Sequence, residues 1–496
     1  MPVILFLGGF LRWYWAIPAI LICLVSLWSV VRTRAQEQPR YAVSVRPLSL
    51  LLLFLAIMVW TQLGGMNGLL FQTQDWHERN AVFRDLITHR WPVVYENGTA
   101  LVYYVGHWLP PALIGKLAKA LFHSESVTWA IGRMALWVWS SIGLTILVLC
   151  LFAYSSANSP AKRVGVFLLF VFFSGMDILG AVRTGKLDYL LTPDVLHLEW
   201  WMPNGNQYTS ITACIYWVFN QSIIPWIATI CFLMDQDERH YMLYAVSCLV
   251  CGPLPLVGLA ILMVGRAAGR FFHCLRTGEG GQWLRSVFSV SNVLLLLCVP
   301  CIAAYLLCSR AIGATESSAL VQEGTSLFSR RYWNRELLRF FSLEVGIYIL
   351  LIWNDHKKDF LLYVVAASLM LIPYFHVGLS TDFCMRASIP AILVTLAYSA
   401  KYLNTHLQAR TGERLKGKEG RRRICALLLA LALLIGAATP CLEIYRGLYH
   451  VVTEGSIHLG KDALTTLGNY PHLVNFLTSD MEHQLFYRYL ARESAP

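Results

Sequence analysis

Charge is what this sequence has least of. Only 14% of its 496 residues are Asp, Glu, Lys or Arg, and 56% are hydrophobic. A soluble globule carries roughly a quarter charged residues. The mean hydropathy is +0.53. Alternating ten-residue segments are also lacking, which excludes a membrane β-barrel. There is no GxGxxG after a strand, no phosphate-binding loop with its lysine and no HExxH. No GxSxG elbow and no kinase motif set occur either. Nucleotide hydrolysis on the cytoplasmic side therefore has no support.

Apolar runs of about 20 residues recur throughout, long enough to cross a bilayer as helices. The fold class expected is an all-α polytopic membrane protein embedded in a lipid bilayer. The net charge of +11 raises nucleic acid as a partner, but the basic residues concentrate in short loops between apolar runs. That is topology bias, and no nucleic acid is expected. Thirteen cysteines fall mostly within apolar runs. Cys248/Cys251 and Cys298/Cys301 have CxxC spacing without a second ligand pair, so they read as small apolar filler. The run from Pro2 to Val31 exceeds a signal-peptide core and lacks a basic leader and a cleavage site, so it reads as a retained span.

The spans expected are 14–31, 47–66, 128–153, 164–181, 209–234, 287–308, 337–353, 359–376, 387–402 and 424–440, plus a hinged pair within 241–264. The pair folds at Gly252-Pro253-Leu254-Pro255, each arm only 11 or 12 residues long. This keeps Arg266, Arg270, Arg276 and Arg285 inside, with the basic run from Lys401 to Arg423. The total is about 12 spans, with both termini outside. Residues 1–440 form the membrane domain. Its outer loops at 67–127 and 182–208 are the first two, and 441–496 is a helical tail on the outer face. Pro110-Pro111 forbids a regular span over LVYYVGHWLPPALIGKLAKALF. An interfacial helix starting at Pro110, with Lys116 and Lys119 snorkelling, is expected there.

The stretch from Gly65 to Arg90 is the densest polar patch beside a span. Read as a helix from Asp75, it puts Trp76, Phe83 and Ile87 on one stripe. Glu78 and Asp85 share a polar line, and His77 and Arg84 share another. One reading is an amphipathic helix lying stripe-down on the membrane. The other is a membrane-surface active site with Asp75 or Glu78 as base or metal ligand; Mg²⁺ or Mn²⁺ is the metal such carboxylates would hold. The remaining candidates sit on the same side: Asp194, His197 and Glu199 in the second outer loop, Asn220 and Gln221 in a proline-broken span, and Asp382 and Arg386 before another. Arg386 is either a lipid-phosphate clamp or an interfacial arginine paired with Asp382. Asp194, His197 and Glu199 are either acceptor-site groups or a solvated loop. Trp200 and Trp201 either stack on a sugar or belong to the interfacial belt. Asn220 and Gln221 either line a cavity or join helices by hydrogen bonds. Asn97-Gly98-Thr99 fits a glycosylation sequon.

This order of elements resembles the GT-C class of integral-membrane glycosyltransferases, especially the protein-mannosyltransferase and aminoarabinose-transferase branch. The matching parts are Asp75 after an early span, GHWLPPALIGKLAKALF, and VTWAIGRMALWVW with Arg133. They lie within residues 47–235. The resemblance implies a polyprenyl-phosphate sugar donor, an extracytoplasmic glycan or glycolipid acceptor, inversion at the anomeric carbon, and Asp75 as base. The spacing differs: Asp75 and Glu78 are three apart, where the family often has adjacent acids or acids one apart. DWHERNAVFRDL, YWVFNQSIIPW and DFCMRASIP are also similar to predicted bacterial membrane proteins. A second class stays open, a transporter or flippase for a lipid-linked or anionic solute, because transporters bind at broken helices. A non-catalytic envelope-assembly protein is the third.

Overall fold

The computed structural model describes residues 1–36, 41–185, 187–190, 192, 199–201, 205–309, 328–330, 335–377, 381–407, 417–454, 465–470, 473 and 475–493. They fold almost entirely as helices. The first eight are α1 (Pro2–Phe10), α2 (Trp13–Gln36), α3 (Pro47–Leu63), α4 (Trp76–Thr88), α5 (Leu109–Phe122), α6 (Glu125–Tyr154), α7 (Pro160–Phe172) and α8 (Asp177–Arg183). Then come α9 (Leu187–Leu190), α10 (Ile211–Met234), α11 (Tyr241–Leu249), α12 (Pro253–Thr277), α13 (Gly280–Val287), α14 (Val290–Leu296) and α15 (Val299–Leu306). The last are α16 (Arg335–Phe341), α17 (Ile347–His356), α18 (Phe360–Leu371), α19 (Asp382–His406), α20 (Gly417–Gly436) and α21 (Ala438–Glu454). Four short strands, β1 (Ala100–Leu101), β2 (Phe328–Arg330), β3 (Phe375–Val377) and β4 (Leu477–Thr478), pair antiparallel as β1–β4 and β2–β3.

The protein is a helical membrane protein. Among the described residues six helical stretches are long and apolar enough to cross a bilayer, or eight if the bent pairs α7–α8 and α13/α14–α15 each count as one. The twelve expected from hydropathy included runs that fold as shorter or bent pieces. α3 has 17 residues, and the pairs bend by 52°. α10 and α19 lie at the centre, with most of their surface covered by other helices.

The hinge at Gly252 is where the sequence places it, but the second arm is longer than expected. α12 runs 25 residues to Thr277, about 37 Å. Arg266 and Arg270 do not end it, because their side chains reach sideways to the loop after α10. Arg266 donates to the Asp235 carbonyl at 3.1 Å, and Arg270 pairs with Glu238 at 2.9 Å. The tail expected from residue 441 begins within a helix, α21, which continues from α20 to Glu454. Beyond it, the described part of the tail is mostly non-helical and packs on the first outer loop and on the turn between α1 and α2. The Val102 N–H donates to Phe476 O at 2.8 Å, and Arg12 N–H donates to Leu490 O at 2.9 Å.

α4 does not lie stripe-down on lipid. Trp76, Phe83 and Ile87 are buried against protein. The Trp76 ring stacks on Phe219 at 4.9 Å, and Phe83 packs on Trp129 at 5.8 Å. Ile87 fits between Gly115 of α5 and Gly132 of α6, where an added Cβ would stand 2.7 Å from its Cδ1. The turn that aims α4 uses Gly65 and Gly68 at φ values of 77° and 71°, a region open to glycine without strain. α5 begins as expected, with the two prolines in its first turn, where their missing N–H groups are not needed.

Candidate functional site: two buried arginines beside paired tyrosines

Asp75 precedes the first turn of α4 and Asp382 opens α19. Each pairs with an arginine one turn on. Arg79 Nη2 donates to Asp75 Oδ2 at 2.7 Å, and Arg386 Nη1 pairs with Asp382 Oδ2. Four-residue spacing puts both members on one helix face. In each pair the carboxylate is half-exposed and the guanidinium buried. The side-chain exposures are 48% for Asp75 against 4% for Arg79, and 48% for Asp382 against 12% for Arg386. These are not snorkelling arginines. Their charged ends point inward.

Tyr103 lies within electrostatic range of both arginines, and Tyr104 within that of Arg386. Charges of Arg79, Arg386, Asp75 and Asp382 all act on the Tyr103 hydroxyl, and those of Arg386 and Asp382 act on Tyr104. The two rings stack at 4.8 Å, and Phe476 of the tail backs Tyr103 at 4.5 Å. Burial raises both phenols above the usual range, Tyr104 to about 12, with the arginines pulling the other way. Both hydroxyls stay protonated and able to donate. Nε and Nη1 of Arg79 and Nε of Arg386 are buried without a hydrogen-bond partner. Buried polar groups are normally satisfied. Buried guanidinium donors left open on both sides of Tyr103's charge environment are what an anion with several acceptor oxygens would satisfy.

The second outer loop closes the far side. The N–H of Gln207 meets Cys384 Sγ at 3.5 Å, and the Thr381 hydroxyl donates to Gln207 Oε1 at 2.6 Å. Cys214, in the first turn of α10, lies within reach of both Arg386 and Glu199. Glu199 is 5% exposed, which removes the solvated-loop reading for it. Burial, with Glu443 and Asp177 nearby, pushes its carboxyl up to about 8. Trp201 is buried and donates to Glu344 Oε1 at 2.9 Å, and the Trp200 N–H donates to Asp177 Oδ1 at 2.9 Å. The Trp201 indole is thus taken up by a buried acid, whereas Trp200 ties the loop to Asp177 through its backbone N–H, with its ring half-buried.

The other candidates make no recorded contact with the two arginines or lie outside the described part. Asp194 and His197 lie outside the described residues. His77 is exposed and meets Tyr470 edge-on at 6.1 Å, and Glu78 is half-buried. Arg133 lies over Trp129 and beside Gly68. Asn220 and Gln221 are fully buried, and all four of their amide atoms lack partners, so they do not join helices by hydrogen bonds. They follow a break in α10 at Val218, two residues before the expected one. Among the described residues, no three His, Cys, Asp or Glu side chains gather to hold a metal ion. Sequence reasoning missed Arg79, Tyr103 and Tyr104. The signal for Arg79 was the Asp-x-x-x-Arg spacing at 75/79, repeated at 382/386. Comparison with family models, curated proteins and solved structures returned no match.

Proposed function

We propose that the protein is a membrane glycosyltransferase of GT-C-like architecture with about 12 spans, its active side extracytoplasmic. It moves a sugar from a polyprenyl-phosphate donor to a cell-envelope glycan or glycolipid acceptor at the plasma (inner) membrane. The observation that carries this reading is the pair of buried arginines with orphaned donors next to a half-exposed Asp75. Arg79 and Arg386, with the tyrosine hydroxyls, hold the donor phosphate. Asp75 takes the proton from the acceptor hydroxyl. That oxygen bonds to the anomeric carbon as the carbon–phosphate-oxygen bond breaks, and polyprenyl phosphate leaves with its added negative charge facing the guanidinia. Stabilisation of a leaving charge by preplaced cations is a large catalytic effect. The direct test is the glycolipid and glycan profile of cells carrying wild type or Asp75→Asn at equal membrane abundance. A missing sugar supports transfer; an unchanged profile removes Asp75 from the chemistry.

The unpaired amides of Asn220 and Gln221 beside the α10 break favour a second reading, a transporter or flippase for a lipid-linked or anionic solute. Flipping in liposomes without sugar transfer would select it.

A further inference from the structure

At the opposite end of α10 from the two arginines lies a cavity of about 630 Å³ that the proposed reaction does not use. α10 has 24 residues, so the two sites stand on the order of 36 Å apart along it. Residues 235–239, the end of α12 and α13 form the walls. Asp235, Asp237, Glu238 and Glu279 contribute four carboxylates. Arg239, Arg270 and Arg285 contribute three guanidinia.

Much of this charge is already tied. His240 Nδ1 lies 2.7 Å from Asp235, Arg239 Nε donates to Asp237 at 2.7 Å, and Glu238 Oε2 takes Arg270 at 2.9 Å and the Ser286 hydroxyl at 3.3 Å. Two buried polar atoms of the lining are left over. Glu238, 1% exposed, has Oε1 without a partner, and so has the indole N–H of Trp283. One needs a donor and the other is a donor. They belong to the two sides of one seam, Glu238 on the loop and Trp283 on α13. α13 buries none of its residues, so parting the seam disturbs little packing.

Walls of both signs select against a simple ion. A lone anion would face the carboxylates, and a lone cation the guanidinia. A zwitterion is matched at both ends. The volume lies within the usual range for small-molecule pockets, roughly 300–1,000 Å³. Phe272, Leu275, Leu284 and Phe288 are exposed apolar side chains on the adjoining helices, as on a segment at a membrane boundary. We propose that this cavity binds a phosphoethanolamine group, its ammonium on Glu238 and its phosphate against the Trp283 N–H and Arg285. The same chemistry comes from a phospholipid head group or from a soluble phosphodiester. This inference is independent of the glycosyltransferase reading.

The test is native mass spectrometry of the full chain released from detergent. The probes are dioleoyl phosphatidylethanolamine, the corresponding choline and glycerol lipids, and glycerophosphoethanolamine. The ethanolamine lipid is expected to be retained roughly fivefold more tightly than the choline lipid, which has no N–H donors, and the glycerol lipid, which has no cation. Trp283→Phe and Glu238→Gln are each expected to abolish that preference. Trp283→Phe removes the N–H with the pyrrole half of the indole and keeps an aromatic ring beside Phe271 (4.8 Å between centroids), on a helix that buries none of its residues, so it tests the site without threatening the fold. Retention of the lipid alone assigns the head group as ligand. Equal binding of the soluble diester assigns the free molecule. Equal retention of all three lipids, or an unchanged preference in both variants, overturns the proposal.

Discussion

The carboxylate of Asp85 accepts the backbone N–H of Leu467 at 2.9 Å, across 382 residues of chain. The same Oδ2 accepts the Tyr95 hydroxyl at 2.8 Å, and Asp85 itself is fully buried. This contact, with the β1–β4 pairing, holds the tail against the loop that carries Tyr103. Asp85→Asn exchanges a charged acceptor for an amide facing two donors. A loss of about 1–3 kcal/mol of stability is expected, with faster proteolysis of the tail before global unfolding. Cleavage at the wild-type rate would show that the tail docks without this contact.

Gly258 of α12 lies against α19 so closely that an added Cβ would stand 1.9 Å from the Ala387 carbonyl. Ala387 follows Arg386, so room made there displaces a guanidinium of the site. Gly258→Ala is expected to lower stability by about 1–3 kcal/mol and also to weaken binding of a polyprenyl-phosphate donor. Gly165→Ala, where nothing lies within 4 Å, serves as the control. Donor affinity equal in both variants would uncouple α12 packing from the site.

Glu199 gives the protein a pH dependence of definite sign. Burial raises its carboxyl to about 8 from 4.5. Between those values the native state keeps a proton that the unfolded state has lost, so stability falls as pH rises. The contribution is complete below about 4.5 and gone above about 8. Thermal unfolding midpoints taken from about pH 5 to about pH 9 should decline for wild type and decline less for Glu199→Gln. A steeper decline in the variant would contradict the assignment.

What the sequence disclosed follows local rules. Pro110-Pro111 and Pro253 marked helix starts, because the first turn does not need the N–H that proline lacks. The Trp76, Phe83 and Ile87 stripe was visible at helical period, although what covers it was not. Protein covers it instead of lipid, and that depends on Gly115 and Gly132, whose lack of a side chain means nothing until α5 and α6 are packed. The length of α12 was hidden because Arg266 and Arg270 resemble a loop until their partners at 235–238 are in place. Arg79 looked like one member of a polar patch. Its burial depends on long-range packing that period and propensity do not encode.

The sharpest expectations concern Asp75 and Arg79 together, because the proposed transfer gives the two different stages. Arg79 engages only Oδ2 of Asp75, which leaves the second oxygen for an acceptor hydroxyl. Asp75→Asn removes the proposed base and should lower the transfer rate by on the order of 10²–10⁴, with donor affinity little changed. Arg79→Lys keeps the charge but loses the planar fork of donors. It should raise the donor KM roughly tenfold while leaving a measurable turnover. A reconstituted assay that separates kcat from KM tells the two apart. Equal loss of kcat in both, with donor binding intact, would mean that the ion pair positions α4 and that the arginine does not hold the phosphate.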